Sequence, residues 1–151
     1  MNVSFTFLKP NHPEWETVAH HISSVSWKAG NHLASKMKKQ EFSDWEAVLI
    51  GSNNDNTLVS FCTINKTDSL PTTLTPFIGY VFVSESFRGQ RLSEKMLKHA
   101  EEYLAHLGFI SVYLQSGEIG LYEKFGYKKS PIRPVSLAHE ASIYQKNIAH
   151  S

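Results

Sequence analysis

Phe82-Val83-Ser84-Glu85-Ser86-Phe87-Arg88-Gly89-Gln90-Arg91-Leu92-Ser93-Glu94-Lys95-Met96-Leu97 joins an apolar run to an amphipathic one. It reads as the end of a strand, a tight turn carrying a glycine and two arginines, and the start of a helix. A helix that begins there leaves its first N–H groups without intrahelical partners. Those donors and the positive end of the helix dipole suit an anion of the phosphate type. Arg88 and Arg91 add formal charge beside them. Upstream, Phe77 to Val83 is apolar at both parities, which predicts a central strand covered on both faces. Downstream, Leu92, Met96, Leu97, Ala100, Leu104 and Leu107 recur at helical spacing, while Lys95, Lys98, His99 and Glu102 lie off that stripe. Gly108 is placed to cap this helix. A further strand over Ile110 to Leu114 completes a βαβ crossover after Val83.

The flanking sequence supplies the remaining elements. Val3, Phe5 and Phe7 alternate with Ser4 and Thr6, predicting a half-buried first strand. Asn11 or His12 is placed to cap a helix with Pro13 in its first turn, and Trp15, Val18, Ala19, Ile22 and Val25 follow at helical spacing. Gly30 is expected to break that helix near Trp27, with Asn31 capping a second one that carries Leu33, Ala34 and Met37 on one face. Strands are expected at Trp45 to Ile50 and Leu58 to Asn65, joined as a hairpin by Ser52-Asn53-Asn54-Asp55-Asn56. After Leu114 come a short helix from Ser116 or Gly117 to about Phe125, a strand beginning at Tyr127, a loop punctuated by Pro131 and Pro134, and a last strand over Ser142 to Ile148. The order β-α-α-β-β-β-α-β-α-β-β predicts an α/β fold in a single domain over residues 1–151. Its mixed sheet should have about six to seven strands, flanked by about four helices.

Composition narrows the function classes. The chain is 41% hydrophobic and 19% charged, which is ordinary for a folded domain. A formal net charge of +1 gives no case for nucleic-acid or membrane-surface binding. No apolar run approaches the roughly 20 residues of a membrane span. The N-terminus lacks the basic and apolar regions of a signal peptide, so a cytoplasmic location is expected. The single cysteine, Cys62, excludes an intramolecular disulfide and reads as a buried small residue. Eight histidines show no ligand spacing: His20 and His21 diverge on a helix, and no metal is expected. Lys36-Met37-Lys38-Lys39 reads as a solvated helix face. The loop also lacks the Gly-x-x-x-x-Gly-Lys-Ser/Thr pattern of a nucleotide phosphate loop.

Two local signatures, with the element order, resemble the GNAT acetyltransferase superfamily over essentially the whole chain. The first is a strand ending in valine, then Arg/Gln-x-x-Gly-x-Gly/Ala, then a helix; its six positions here are Arg88, Gly89, Gln90, Arg91, Leu92 and Ser93. The second is Leu121-Tyr122-Glu123-Lys124-Phe125-Gly126-Tyr127, an aromatic in a short helix followed by glycine and an aromatic. Arg91 and Ser93 stand where the family usually has small residues. Arg91 is expected to take an ordinary backbone conformation and to turn its side chain outward, toward a phosphate.

The resemblance implies an N-acetyltransferase using acetyl-CoA, with an amine of a small molecule or peptide attacking directly. It implies that the pantetheine arm pairs with Val81, Phe82 and Val83, beside a strand from Ile110 that splays away. The pyrophosphate would lie on the loop from Arg88 to Ser93. It implies Tyr122 as general acid to the leaving thiolate; the plainer reading places Tyr122 in the core with Leu121 and Phe125. Glu16, His20, His21 and Glu46 are base candidates by chain location alone. Trp27, Trp45 and Phe77 are candidates to line an acceptor pocket. The alternative function is a non-catalytic module that senses acyl-CoA or a metabolite. A monomer or a homodimer is expected.

Overall fold

The computed structural model describes residues 2–25, 27–67, 72–89, 91–132 and 141–149. The elements are β1 (Ser4–Leu8), α1 (Trp15–Ser23), α2 (Lys28–Lys38), β2 (Ala47–Ser52), β3 (Leu58–Asn65), β4 (Phe77–Val83), α3 (Leu92–His106), β5 (Ser111–Ser116), β6 (Lys128–Lys129) and β7 (Ser142–Asn147). The strands form one mixed sheet in the order β1-β2-β3-β4-β5-β7-β6. β1 runs antiparallel to β2, β5 parallel to β4, and β7 antiparallel to both β5 and β6. The α/β class, the element order and the crossover after Val83 are as expected.

Among the described residues, three helices stand where about four were expected. The fourth is only a 3-10 turn, Tyr122–Phe125; a second such turn, Glu85–Phe87, lies in the loop after β4. The stretch from Ser116 stays irregular because Ser116 Oγ accepts the Glu118 N–H at 2.9 Å and Gly120 takes a positive φ of 86°. Both satisfy local geometry that a helix would otherwise supply.

The chain divides into two compact units. The first comprises Met1–Thr63 and Tyr80–Met96. Its core gathers Leu8, Trp15, Val18, Ile22, Leu33, Met37, Val48 and Phe61. The indole N–H of Trp15 donates to the Met37 carbonyl at 2.9 Å, tying α1 to the end of α2. Gly30 does not break the first helix; it lies inside α2, buried. Its backbone packs closely on α1: a Cβ there would lie 2.7 Å from Val25 Cγ2 and 2.9 Å from the Ile22 carbonyl oxygen. Trp27, not Asn31, occupies the N-cap, and no side chain caps the helix. The hairpin turn is built as predicted, with Asn53 Oδ1 accepting the N–H groups of Asp55 and Thr57 at 2.9 and 3.0 Å.

The second unit comprises Ile64–Gly79 and Leu97–Ser151. Phe77 and Ile143 form a buried pair with Leu74 and Tyr113 around it. α3 ends as predicted at Gly108, whose φ is 100° and whose N–H donates to the Ala105 carbonyl at 3.0 Å. Leu107 leaves the predicted stripe: it belongs to that capping turn and is 48% exposed. Glu101, 8% exposed, accepts from the Tyr127 hydroxyl and from Lys146 Nζ, each at 2.8 Å. Burying this carboxylate is tolerable because both of its oxygens are occupied.

Candidate active site

The loop between β4 and α3 belongs to the first unit. β4 is covered on both faces only at its start: Phe77, Ile78 and Gly79 are buried, whereas Tyr80, Val81, Phe82 and Val83 are half-buried. Tyr80 holds a φ of +50°, which distorts the strand just where Val81 to Val83 begin. Among the described residues, β4 and β5 are in register at Phe77↔Tyr113.

After Val83, Arg88 folds back and its Nε donates to the Val83 carbonyl at 3.2 Å. Gly89 has φ +83°, and a Cβ there would meet nothing within 4 Å, so the loop backbone is open on that side. Gln90 lies outside the described residues. Arg91 has φ +58°, which corrects the expectation of an ordinary conformation. The arginine keeps the left-handed backbone that this position would favour in glycine. Its side chain is also committed: Arg91 Nε meets Glu94 Oε1 at 2.8 Å. Glu94 sits in the first turn, where helix and cation both favour a carboxylate. The Lys95 N–H closes on the Arg91 carbonyl at 3.1 Å. The N–H groups of Leu92, Ser93 and Glu94 therefore precede the first intrahelical bond and project from the helix start. Leu92 is buried. A hollow of about 490 Å³ in this unit is lined by Val3, Phe5, Asn54, Leu92 and Lys95 and includes neither loop arginine.

Tyr122 belongs to the second unit. It is 7% exposed, and its ring meets Phe125, Tyr127 and Tyr144 with centroids 6.1–6.3 Å apart. Gly126, with φ +94°, closes the 3-10 turn and lets the Tyr127 N–H donate to the Tyr122 carbonyl at 3.1 Å. The Tyr144 hydroxyl donates to the Glu118 carbonyl at 2.9 Å. Burial, reinforced by the Glu123 carboxylate, pushes the Tyr144 phenol above its ordinary range. Leu121 and Phe125 are half-buried, so Tyr122 and Tyr127 are the deeper residues of this signature.

The other candidates separate by burial. Phe77 is fully buried and cannot line an acceptor pocket. Trp27 is half-buried in an aromatic cluster, stacked on Phe82 at 5.7 Å and edge-on to Tyr80 at 6.4 Å. Glu46 Oε1 accepts from Ser43 N and Oγ and serves the turn before β2. Glu16, His20 and His21 lie on the exposed side of α1. Cys62 is fully buried and burial pushes its thiol far up, as expected of a non-nucleophile. Among the described residues, no group of three potential metal ligands occurs and no helix is long and apolar enough to cross a membrane. A contact near the loop that sequence reading missed is Tyr80 Oη to His32 Nδ1, 2.6 Å across a separation of 48 residues.

No curated protein matches the chain. Among solved structures, a GNAT family N-acetyltransferase from Escherichia coli in complex with CoA aligns with TM-score 0.75 at 15% identity, covering 99% of this chain and 83% of that one. An aminoglycoside 6'-acetyltransferase type Ii aligns with TM-score 0.73 at 18% identity over 100% and 99%. An acetyltransferase of the GNAT family from Streptococcus pneumoniae aligns with TM-score 0.68 at 12% identity over 98% and 100%. At these identities the likeness establishes the fold. The profile of the acetyltransferase (GNAT) family matches residues 12–127, which take in both the loop of Arg88–Ser93 and Tyr122, and the chain belongs to that family.

Proposed function

We propose that this protein is an N-acetyltransferase that moves the acetyl group of acetyl-CoA to a primary amine of a small molecule or peptide, by direct attack in a ternary complex. The observation that carries the reading is the start of α3. Two positive-φ residues, Gly89 and Arg91, lead into N–H groups that project from the helix. That is the donor arrangement a pyrophosphate requires. The open side of Gly89 leaves room for it. The CoA complex of the Escherichia coli neighbour and the family match across both units support coenzyme A as the ligand and one functional domain.

In this reading the backbone of Val81, Phe82 and Val83 pairs with the pantetheine arm. Arg88, Gly89, Gln90, Arg91, Leu92 and Ser93 hold the pyrophosphate, chiefly through main-chain N–H groups. A main-chain donor of β4 polarises the thioester carbonyl, a role worth on the order of 3 kcal/mol. Alignment of amine and thioester supplies much of the remaining rate. Tyr122 gives its hydroxyl proton to the departing sulfur.

The test pairs calorimetric binding of acetyl-CoA with thiol release from acetyl-CoA over a panel of primary amines. Tyr122→Phe should lower turnover about 100-fold, with the coenzyme Kd unchanged within about twofold. Absence of coenzyme binding overturns the reading. Tight binding without turnover on any amine supports the sensing alternative instead.

A further inference from the structure

We infer that Tyr80 and His32 form the proton-accepting pair for the incoming amine; this rests on the acetyltransferase reading above. An amine is protonated at neutral pH and must lose a proton before it can attack. Tyr80 immediately precedes the residues assigned to the pantetheine arm, so its phenol belongs to the strand segment nearest the thioester. Its φ of +50° is uncommon for an aromatic residue, and such distortions collect at functional sites. The side chain is half-buried, and its hydroxyl lies 2.6 Å from His32 Nδ1. His32 is exposed on α2, so an accepted proton has a route to solvent. The imidazole ring is tilted at 43° to the Tyr80 ring with centroids 5.9 Å apart.

The surroundings favour this use. Trp27, Phe82 and Phe61 form the apolar wall beside Tyr80. Lys36, one turn along α2 from His32, holds its ammonium 5.9 Å from the Tyr80 ring centroid. On α1 the titratable groups Glu16, His20 and His21 are exposed, on the side away from the buried Trp15, Val18 and Ile22. β3 contributes Phe61 and the buried, neutral Cys62.

The step balances as follows. With His32 neutral and protonated on Nε2, the Tyr80 hydroxyl donates to Nδ1. The ammonium transfers one proton to the Tyr80 oxygen as the hydroxyl proton passes to Nδ1, leaving a neutral amine, a neutral phenol and an imidazolium. The nitrogen lone pair then forms the N–C bond to the acetyl carbon. The C–S bond breaks with its electron pair going to sulfur, which takes the Tyr122 proton. The acylated nitrogen's remaining extra proton passes through water to restore the Tyr122 hydroxyl, and the imidazolium proton leaves to solvent.

The experiment compares wild type, Tyr80→Phe, His32→Ala and the double variant by thiol release from acetyl-CoA. It uses the best amine of the panel, and also hydroxylamine, which is largely uncharged at neutral pH and needs no base. With the amine, each single variant should lose about 100-fold in kcat with little change in KM. The double variant should lose no more than the worse single one, because the two act as a unit. The rise of kcat/KM with pH should move upward in every variant, and hydroxylamine turnover should fall less than threefold. Independently of turnover, NMR titration of the His32 imidazole should change midpoint in Tyr80→Phe. Unchanged pH profiles, additive losses, or equal losses with hydroxylamine and amine overturn the pair. Wild type that binds acetyl-CoA but turns over no amine overturns it too. Failure of acetyl-CoA to bind at all is distinct, since it removes the acetyltransferase reading itself.

Discussion

Replacing Gly30 with alanine separates two accounts of one residue. If Gly30 were a helix breaker between α1 and α2, alanine would be stabilising, since glycine in a helix interior costs about 1 kcal/mol relative to alanine. The structure sets a larger opposing term. The new Cβ would lie 2.7 Å from Val25 Cγ2 and 2.9 Å from the Ile22 carbonyl oxygen. Val25 can rotate, but the Ile22 carbonyl cannot: it also accepts the Val25 N–H at 3.3 Å in the turn that ends α1. With two contacts below 3.0 Å, one of them to backbone, the clash falls in the upper part of the overpacking range, about 2–3 kcal/mol. The net expectation is a loss of about 1–2 kcal/mol, after the propensity gain is set against the larger clash. For a chain of this length that lowers Tm by about 2–8 °C. Urea unfolding should show a lower midpoint at constant slope. Adding Val25→Ala should recover only part of the loss, because the carbonyl contact remains. An unchanged or raised Tm for Gly30→Ala would refute the packing account.

Other outcomes follow from the same geometry. Arg91→Gly relieves a left-handed arginine and gives up only an ion pair whose arginine side chain is 72% exposed. Stability should therefore rise by up to about 1 kcal/mol, while acetyl-CoA stays bound with a weaker salt dependence; calorimetry at two salt concentrations reads both. Glu101→Ala strands Lys146 and the Tyr127 hydroxyl, and should cost about 3 kcal/mol, the low end for a buried pair because the Lys146 side chain is 24% exposed. Glu101→Gln keeps an acceptor and should cost clearly less, a ranking that denaturant titration checks. Cys62 keeps its proton in the folded state well above its ordinary value of 9.0, whereas the unfolded chain loses it there. The folded state then binds more protons, so this residue's contribution to stability falls as pH rises above about 9, by at most about 1.4 kcal/mol per pH unit. Wild type should lose stability faster than Cys62→Ala between pH 9 and 10.

Legibility in the sequence followed the range of the interaction. β3, β4 and the start of α3 fall where periodicity and turn residues put them, because alternation and striping record local burial. Asn53, Gly108 and Gly126 were readable for the same reason: each serves a turn within a few residues. Gly30 was misread because its requirement comes from Ile22 and Val25 on a neighbouring helix, and a glycine without a positive φ looks the same whether it breaks or packs. Arg91 was misread because residue type predicts conformation only on average; the loop closure overrides that preference. The Glu101–Lys146 and His32–Tyr80 contacts join residues 45 and 48 apart, and no spacing rule announces them. The loop was legible as an anion site from its strand–turn–helix pattern and its arginines, whereas coenzyme A as the ligand and Tyr122 as an acid could be singled out only because the signatures resemble those of a family.

The two margins of the sheet differ in how they would greet another chain. β6 is two residues long, and both of them, Lys128 and Lys129, are exposed lysines. A margin so short and so cationic offers little ladder for a foreign strand and repels a second copy of itself. β1 is five residues long, uncharged, and exposes Ser4 and Thr6 between half-buried phenylalanines. Self-association through strand addition in concentrated solution would therefore begin at β1, and a lysine at Thr6 is the single change best placed to suppress it.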